Sequence, residues 1–194
     1  MGDETQDPRG DAIDGRAWLE EVRALYRSHK EKCERAAAQV SDEDFMAPFG
    51  RTPVSIAILM KHLGGNHRSR WRDFLTTDGE KADRNRDMEF SDEAETRETI
   101  EAQWAEGWRI TFEALDSLEP ADLEQTVTIR GEPHSVAQAI QRNLAHLAYH
   151  TGQVVLLARH HAGDAWQSLS VPPGKSDEHN AAMAARYGDW LEKS

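Results

Sequence analysis

From Ser135 to Gly163 the chain carries a helical period that few folds can house. Ser135 and Gln138 form a capping box, in which each side chain serves a backbone donor at the helix start. Ile140, Leu144, Leu147, Val154, Val155 and Ala158 then recur as the packing face of a helix from about Val136 to about His161, and Gly163 stops it. Asn143, His146, His150, Gln153 and Leu157 form a line along this helix, flanked by the packing positions. His146 and His150 are four apart, so both imidazoles share one face, inward or in a cleft. Two neutral imidazoles placed this way can grip one metal ion.

Three further long helices are expected. Trp18, Val22, Leu25, Tyr26, His29, Cys33 and Val40 recur at three and four after Asp14. A second helix is expected to start with Thr52 as cap and Pro53 at its first position, and to run through Ile56, Leu59, Met60 and Leu63 to about Leu75. Gly64-Gly65 lies inside it, either a tolerated weak point or an opening for a close neighbour or ligand. Asp92 with Glu95 resembles a capping box for a third helix, with Ile100, Trp104, Trp108, Thr111, Leu115 and Leu118 on its apolar face and Pro120 after its end. Gln125–Arg130 alternates β-branched residues and reads as a short strand or extended connection, turned by Gly131-Glu-Pro133. Ser41–Arg51 reads as acidic and turn-like, and Glu80–Phe90 as a densely charged loop. That loop is either solvated or a rim that positions a polar substrate through Lys81, Arg84 or Arg86. Ser176 is expected to cap a last short helix with Met183, Tyr187, Trp190 and Leu191. The expected architecture is an all-α four-helix bundle with a short extended connection before the fourth long helix and a short C-terminal helix. It forms a single domain over residues 13–194, after a flexible lead-in over 1–12.

Composition removes several function classes. The chain has 194 residues and a formal net charge of −12, which disfavours nucleic acid and anionic membranes as partners. Apolar runs such as Val154–Ala158 are too short for a transmembrane helix, and Met1–Gly10 has no apolar signal core, so a cytoplasmic location is expected. Cys33 is the one cysteine, which excludes an intramolecular disulfide; its place on a helix face reads as a buried structural thiol.

In a helical bundle, metal ligands come from facing helices. His62, amid apolar positions of the second helix, is the natural third ligand; His67, five residues on, is the rival. Three imidazoles leave a position open for water or substrate, as catalytic sites require. Asn143, Gln153 and Tyr149 are candidates to support the ligands. Asn66 and Arg70 follow His62 at steps of four on one face, and Arg suits carboxylate or phosphate. A metalloprotease is a poor match, because Leu147 stands where its helix carries Glu. Spacing alone also allows hydrogen-bonded core histidines with no metal. His29 reads as packed, and His160 and His161 as favoured cations at a helix C-terminus.

Lys61-His62-Leu63 and His146-Leu-Ala-Tyr-His150-Thr-Gly-Gln153 resemble the DinB-like (DinB/YfiT-like) superfamily of metal-binding four-helix bundles. The chain is more similar still to the DUF1572 proteins. That likeness rests on His62-Leu-Gly-Gly-Asn-His-Arg-Ser-Arg70-Trp71, Asp78-Gly-Glu-Lys81, Arg84-Asn-Arg86-Asp87, Glu89-Phe90 and Ser170-Val-Pro-Pro-Gly-Lys-Ser176, and covers most of residues 15–190. The resemblance implies a three-histidine site at His62, His146 and His150, a divalent metal such as zinc or nickel, and often a homodimer. Some DinB-like relatives transfer or isomerise groups with a low-molecular-weight thiol as cosubstrate.

The expectation is a metal-dependent enzyme in which a bound thiol or water attacks a small electrophile, either a thiol S-transferase or a hydrolase. Asn66 and Arg70 are expected to orient an anionic part of the substrate, and no general base is evident. The alternatives are a non-catalytic metal- or ligand-binding stress-response protein and a structural bundle with metal-free histidines.

Overall fold

The caps set where each helix begins. In the computed structural model, which describes residues 14–91 and 95–188, Asp14 accepts from the Arg16 N–H at 2.9 Å and opens α1, Gly15–Ala37. Its stripe of Leu19, Val22, Tyr26 and Cys33 is buried, whereas Leu25 faces out. Ser41 caps a short α2, Asp42–Met46, where the acidic residues of the first turn suit the helix N-terminus. This helix replaces the expected turn and buries Phe45.

α3 spans Ile56–Trp71 and starts later than the Thr52-Pro53 signal suggests. The Thr52 hydroxyl is used in a local turn, donating to the Phe49 carbonyl at 2.8 Å, while Ser55 accepts from the Ile58 N–H at 3.1 Å. The helix also ends earlier, since Asp73 takes a left-handed conformation (φ 49°) just beyond it. α4 spans Arg97–Ser117, with Thr96 and Thr99 forming the capping box. Of the expected box of Asp92 and Glu95, Glu95 accepts from the Thr99 hydroxyl and pairs with Lys61, while Asp92 lies outside the described residues.

After α4, β1 (Thr126–Ile129) and β2 (Glu132–Ser135) form an antiparallel hairpin, Thr126 facing Ser135. Its turn is Arg130-Gly131, both with positive φ, which matches the right-handed strand twist. Pro133 therefore sits in β2 and not in the turn. The Ser135–Gln138 capping box opens α5, Val136–Ala162, and Gly163 (φ 54°) closes it, as the sequence pattern requires. α6, Ser176–Tyr187, includes Ser176 as its first residue, follows Lys175 with no side-chain capping bond, and buries none of its residues. Trp190, Leu191 and the lead-in over 1–12 lie outside the described residues.

The described chain is mostly helical, with the two-stranded hairpin as its only sheet. α3 packs on α4 and α5, and α1 packs on α5 and α4. Two glycines set the closest approach: a Cβ added at Gly107 would lie 2.5 Å from the Gly64 carbonyl oxygen. Gly64 thus admits a neighbouring helix. The centre is aromatic, with Tyr26 edge-on to Trp71 at 5.7 Å and to Trp108 at 6.3 Å. Such pairs contribute about 0.5–1.5 kcal/mol each beyond buried area. Among the described residues, no helix is long and apolar enough to cross a membrane.

Candidate metal centre

The helical repeat of α5 stacks His146 and His150, and the α3–α5 contact brings His62 against both. Ring centroids are 4.6 Å apart for His146 and His150, 5.2 Å for His62 and His146, and 5.0 Å for His62 and His150. One ligand nitrogen from each ring falls within 4.8 Å of the others. Nε2 of His62 lies 3.2 Å from Nε2 of His146. The three side chains can hold a metal ion.

Neighbouring groups orient two of the three rings. Glu89 Oε2 lies 2.8 Å from Nδ1 of His62. Both oxygens of that carboxylate also take hydrogen bonds from Arg84, at 2.8 Å each. A carboxylate bound in this way only accepts, so Nδ1 of His62 donates, and in the neutral ring that tautomer leaves the lone pair on Nε2. Gln153 Oε1 lies 2.7 Å from Nδ1 of His150, which leaves Nε2 of that ring free in the same manner. Imidazole ligands of metals need such a donor set, with the second nitrogen hydrogen-bonded outward. Nδ1 of His146 is buried with no hydrogen-bond partner among the described residues. Burial, then the neighbouring His150 and His62, push His146 down to about 3. Burial also lowers His150, against the Gln153 hydrogen bond. These two rings are therefore neutral near pH 7 and need lose no proton to ligate. The residues present fit a divalent ion.

Glu89 was missed by sequence reasoning. Burial disfavours its charge, but hydrogen bonds from His62 and Arg84 outweigh that and hold its carboxyl below the usual range. It lies in the charged stretch, on a single 3₁₀ turn over Asp87–Phe90. Nothing in the local charge pattern distinguishes it from its exposed neighbours. Gly65 makes room for it: an added Cβ there would overlap the Glu89 carboxylate. The stretch is ordered and tied to α3. Lys61 donates to the Ser91 carbonyl at 2.7 Å, and Ser69 to the Gly79 carbonyl at 3.1 Å.

Asn66 and Arg70 stand on the His62 face of α3 and line a cavity of ≈ 490 Å³ with the three histidines. Arg84 and Arg86 also reach this cavity, but Lys81 does not. Asn143 supports the fold here instead of touching a ligand histidine: its Oδ1 accepts from Tyr26 and Trp71, and its Nδ2 donates to Asn66. Tyr149 is largely exposed, edge-on to His150 at 4.9 Å.

The remaining candidates lie elsewhere. His67 is buried edge-on against Trp108 at 4.5 Å, both nitrogens without a partner among the described residues, and does not join the cluster. His29 is half-buried on α1. His161 approaches Asp44 at 3.4 Å, and His160 stacks edge-on to Phe49. The Cys33 thiol is fully buried beside Thr151, and burial pushes it up to about 11.

A family model described as "Protein of unknown function (DUF1572)" matches residues 14–175. No curated protein and no solved structure gives a match.

Proposed function

This chain belongs to the DUF1572 family, and we propose that it is a metal-dependent enzyme whose His62, His146 and His150 hold a divalent ion, zinc or nickel. The reading takes the fold as a DinB-like four-helix bundle. One observation carries it: three imidazole nitrogens converge within 4.8 Å, two of them on rings whose outward nitrogen is already hydrogen-bonded. An ion bound there supplies Lewis acidity, which favours the thiolate of a bound thiol or the hydroxide of a bound water.

The protein's own residues do the rest. Glu89 and Gln153 hold the tautomers of His62 and His150. Phe90 lies over the His62 ring at 4.9 Å and shields it from water. Asn66 and Arg70 orient the substrate. None of the described residues lining the cavity is Asp or Glu, so none of them offers a carboxylate as a general base. Attack by a nucleophile that has already lost its proton suits this setting better than base-assisted attack. We favour S-transfer, because a thiol gives up its proton far more readily than water does: the thiolate sulfur bonds to an electrophilic carbon, and the displaced group leaves with the electron pair. The same site with water as nucleophile would be a hydrolase. The DinB likeness also implies a homodimer, which light scattering on the purified protein tests.

The decisive experiment is metal analysis of tag-free protein, with His62→Ala, His146→Ala and His150→Ala beside the parent chain. About one ion per chain, lost in each variant, is expected; full metal content in the variants would refute the site. Thiol consumption is then followed with a panel of electrophiles, with and without chelator. Bound metal without turnover on thiols or water would leave a non-catalytic metal-binding protein.

A further inference from the structure

The cavity beside the histidines is walled by five arginines, although the chain carries a net charge of −12. Arg70 comes from α3, Arg84 and Arg86 from the charged segment, Arg130 from the hairpin turn and Arg142 from α5. Their partners separate them. Arg84 is neutralised by Glu89 and Glu80 and belongs to the support of His62. Arg130 reaches the half-buried Glu80 at 3.4 Å and Arg142 reaches the exposed Glu132 at 3.0 Å, both arginine side chains being exposed themselves. Water-screened pairs of this kind are weak and easily exchanged for a ligand. Arg86 stacks over Phe90 at 4.9 Å.

Arg70 differs from all of these. Its Nε and Nη1 are buried and have no hydrogen-bond partner among the described residues. Gly79 packs against the guanidinium; an added Cβ there would lie 2.9 Å from Nη1. Arg142, Arg84 and Arg130 act on it as like charges, with Glu80 the opposing carboxylate. Buried donors left unpaired are costly, most of all charged ones. One turn away, the Asn66 carbonyl oxygen accepts from Asn143, so the NH₂ of Asn66 is what remains for the cavity. The inner wall thus offers the positive charge of Arg70 and the Asn66 amide, and none of the described residues lining it is a carboxylate that would answer them.

We propose that this cavity binds the oxyanion end of a small substrate, a phosphate, phosphonate or carboxylate group. Arg70 and the Asn66 amide are its inner donors, and Arg130 and Arg142 are its outer ones. A guanidinium suits all three groups through paired hydrogen bonds. A cavity of ≈ 490 Å³ accepts a metabolite-sized molecule. The proposal rests on the metal-centre reading for one point, that the reactive end of the substrate meets the histidines.

The test is calorimetric titration of the full chain with inorganic phosphate, phenylphosphonate and succinate, on chelator-stripped and metal-loaded protein. At least one of the three is expected to bind the stripped protein, more weakly at high salt, and the one that binds identifies the group. Arg70→Gln is expected to weaken binding roughly tenfold or more, with metal content unchanged. If Arg70→Gln does not fold, the exposed pair Arg130→Ala/Arg142→Ala carries the test and is expected to weaken binding severalfold. No binding of any probe by stripped or loaded protein, or parent-like affinity in the folded variants, overturns the proposal. Anion binding by a protein that takes up no metal supports the pocket and refutes the metal centre. Metal uptake without anion binding refutes the pocket alone.

Discussion

Glu89 Oε2 stands 2.8 Å from Nδ1 of His62, across 27 residues of chain, and Arg84 clamps the same carboxylate from the other side. The helix repeat places His62 along α3, but this contact decides which of its nitrogens is left for a metal. Glu89→Gln keeps the shape of the side chain and removes its charge. It is expected to weaken metal affinity by roughly 10–100-fold, read by competition with a chelator of known affinity. Gly65→Ala should act in the same direction, because its methyl group takes the space of that carboxylate. Unchanged affinity in both variants would remove Glu89 from the site.

The Gly64–Gly107 crossing makes the sign of a glycine substitution depend on its place. Gly107→Ala puts a methyl group against the Gly64 backbone, which can yield only by separating α3 from α4. Overpacking of that kind costs about 1–3 kcal/mol, against a helix-propensity gain of about 1 kcal/mol, so net destabilisation is expected in urea titrations. Gly152→Ala on α5, with open space around its position, should instead stabilise by up to ~1 kcal/mol.

His67 gives the protein an acid-sensitive core. Burial first, then His146, His62 and Arg70, push this imidazole from 6.5 down to about 3. The unfolded chain therefore binds its proton more readily than the folded one. Stability is full above about pH 6.5 and falls as the pH drops toward 3, by up to ~1.4 kcal/mol per pH unit from this group. His67→Leu should flatten that limb in chelator-treated protein and melt above the parent chain at pH 5. Parallel profiles for the two proteins would exclude the effect.

Cys33 is expected to be chemically silent. With its thiol buried and raised to about 11, folded protein at pH 8 should react with an aromatic disulfide reagent only at the rate of its own unfolding. In denaturant one thiol per chain should react at once. Fast labelling of the native protein would contradict a structural role.

Much of this was legible because helices are local objects. Ser135 with Gln138, the stop at Gly163 and most of the apolar stripes of α1, α4 and α5 follow from spacings of three and four and lie where the pattern puts them; Leu25 faces out, and Val40 and Leu118 fall just beyond their helices. One departure is equally local, where two capping signals compete. Thr52 and Ser55 both suit a helix start, and the Phe49 turn occupies the first of them.

By itself the sequence determined the four long helices and the face of each that carries a candidate residue: His146 and His150 on one, His62, Asn66 and Arg70 on another. It could do so because side-chain direction repeats with the backbone hydrogen bonds of a single segment. Only the tertiary structure decided what stands opposite. It set His62 beside His146 across 84 residues, chose Glu89 from a stretch of similar charges, buried His67 against Trp108, and gathered arginines from three other parts of the chain around Arg70. Those neighbours come from helix packing and loop closure, which no spacing along one helix encodes.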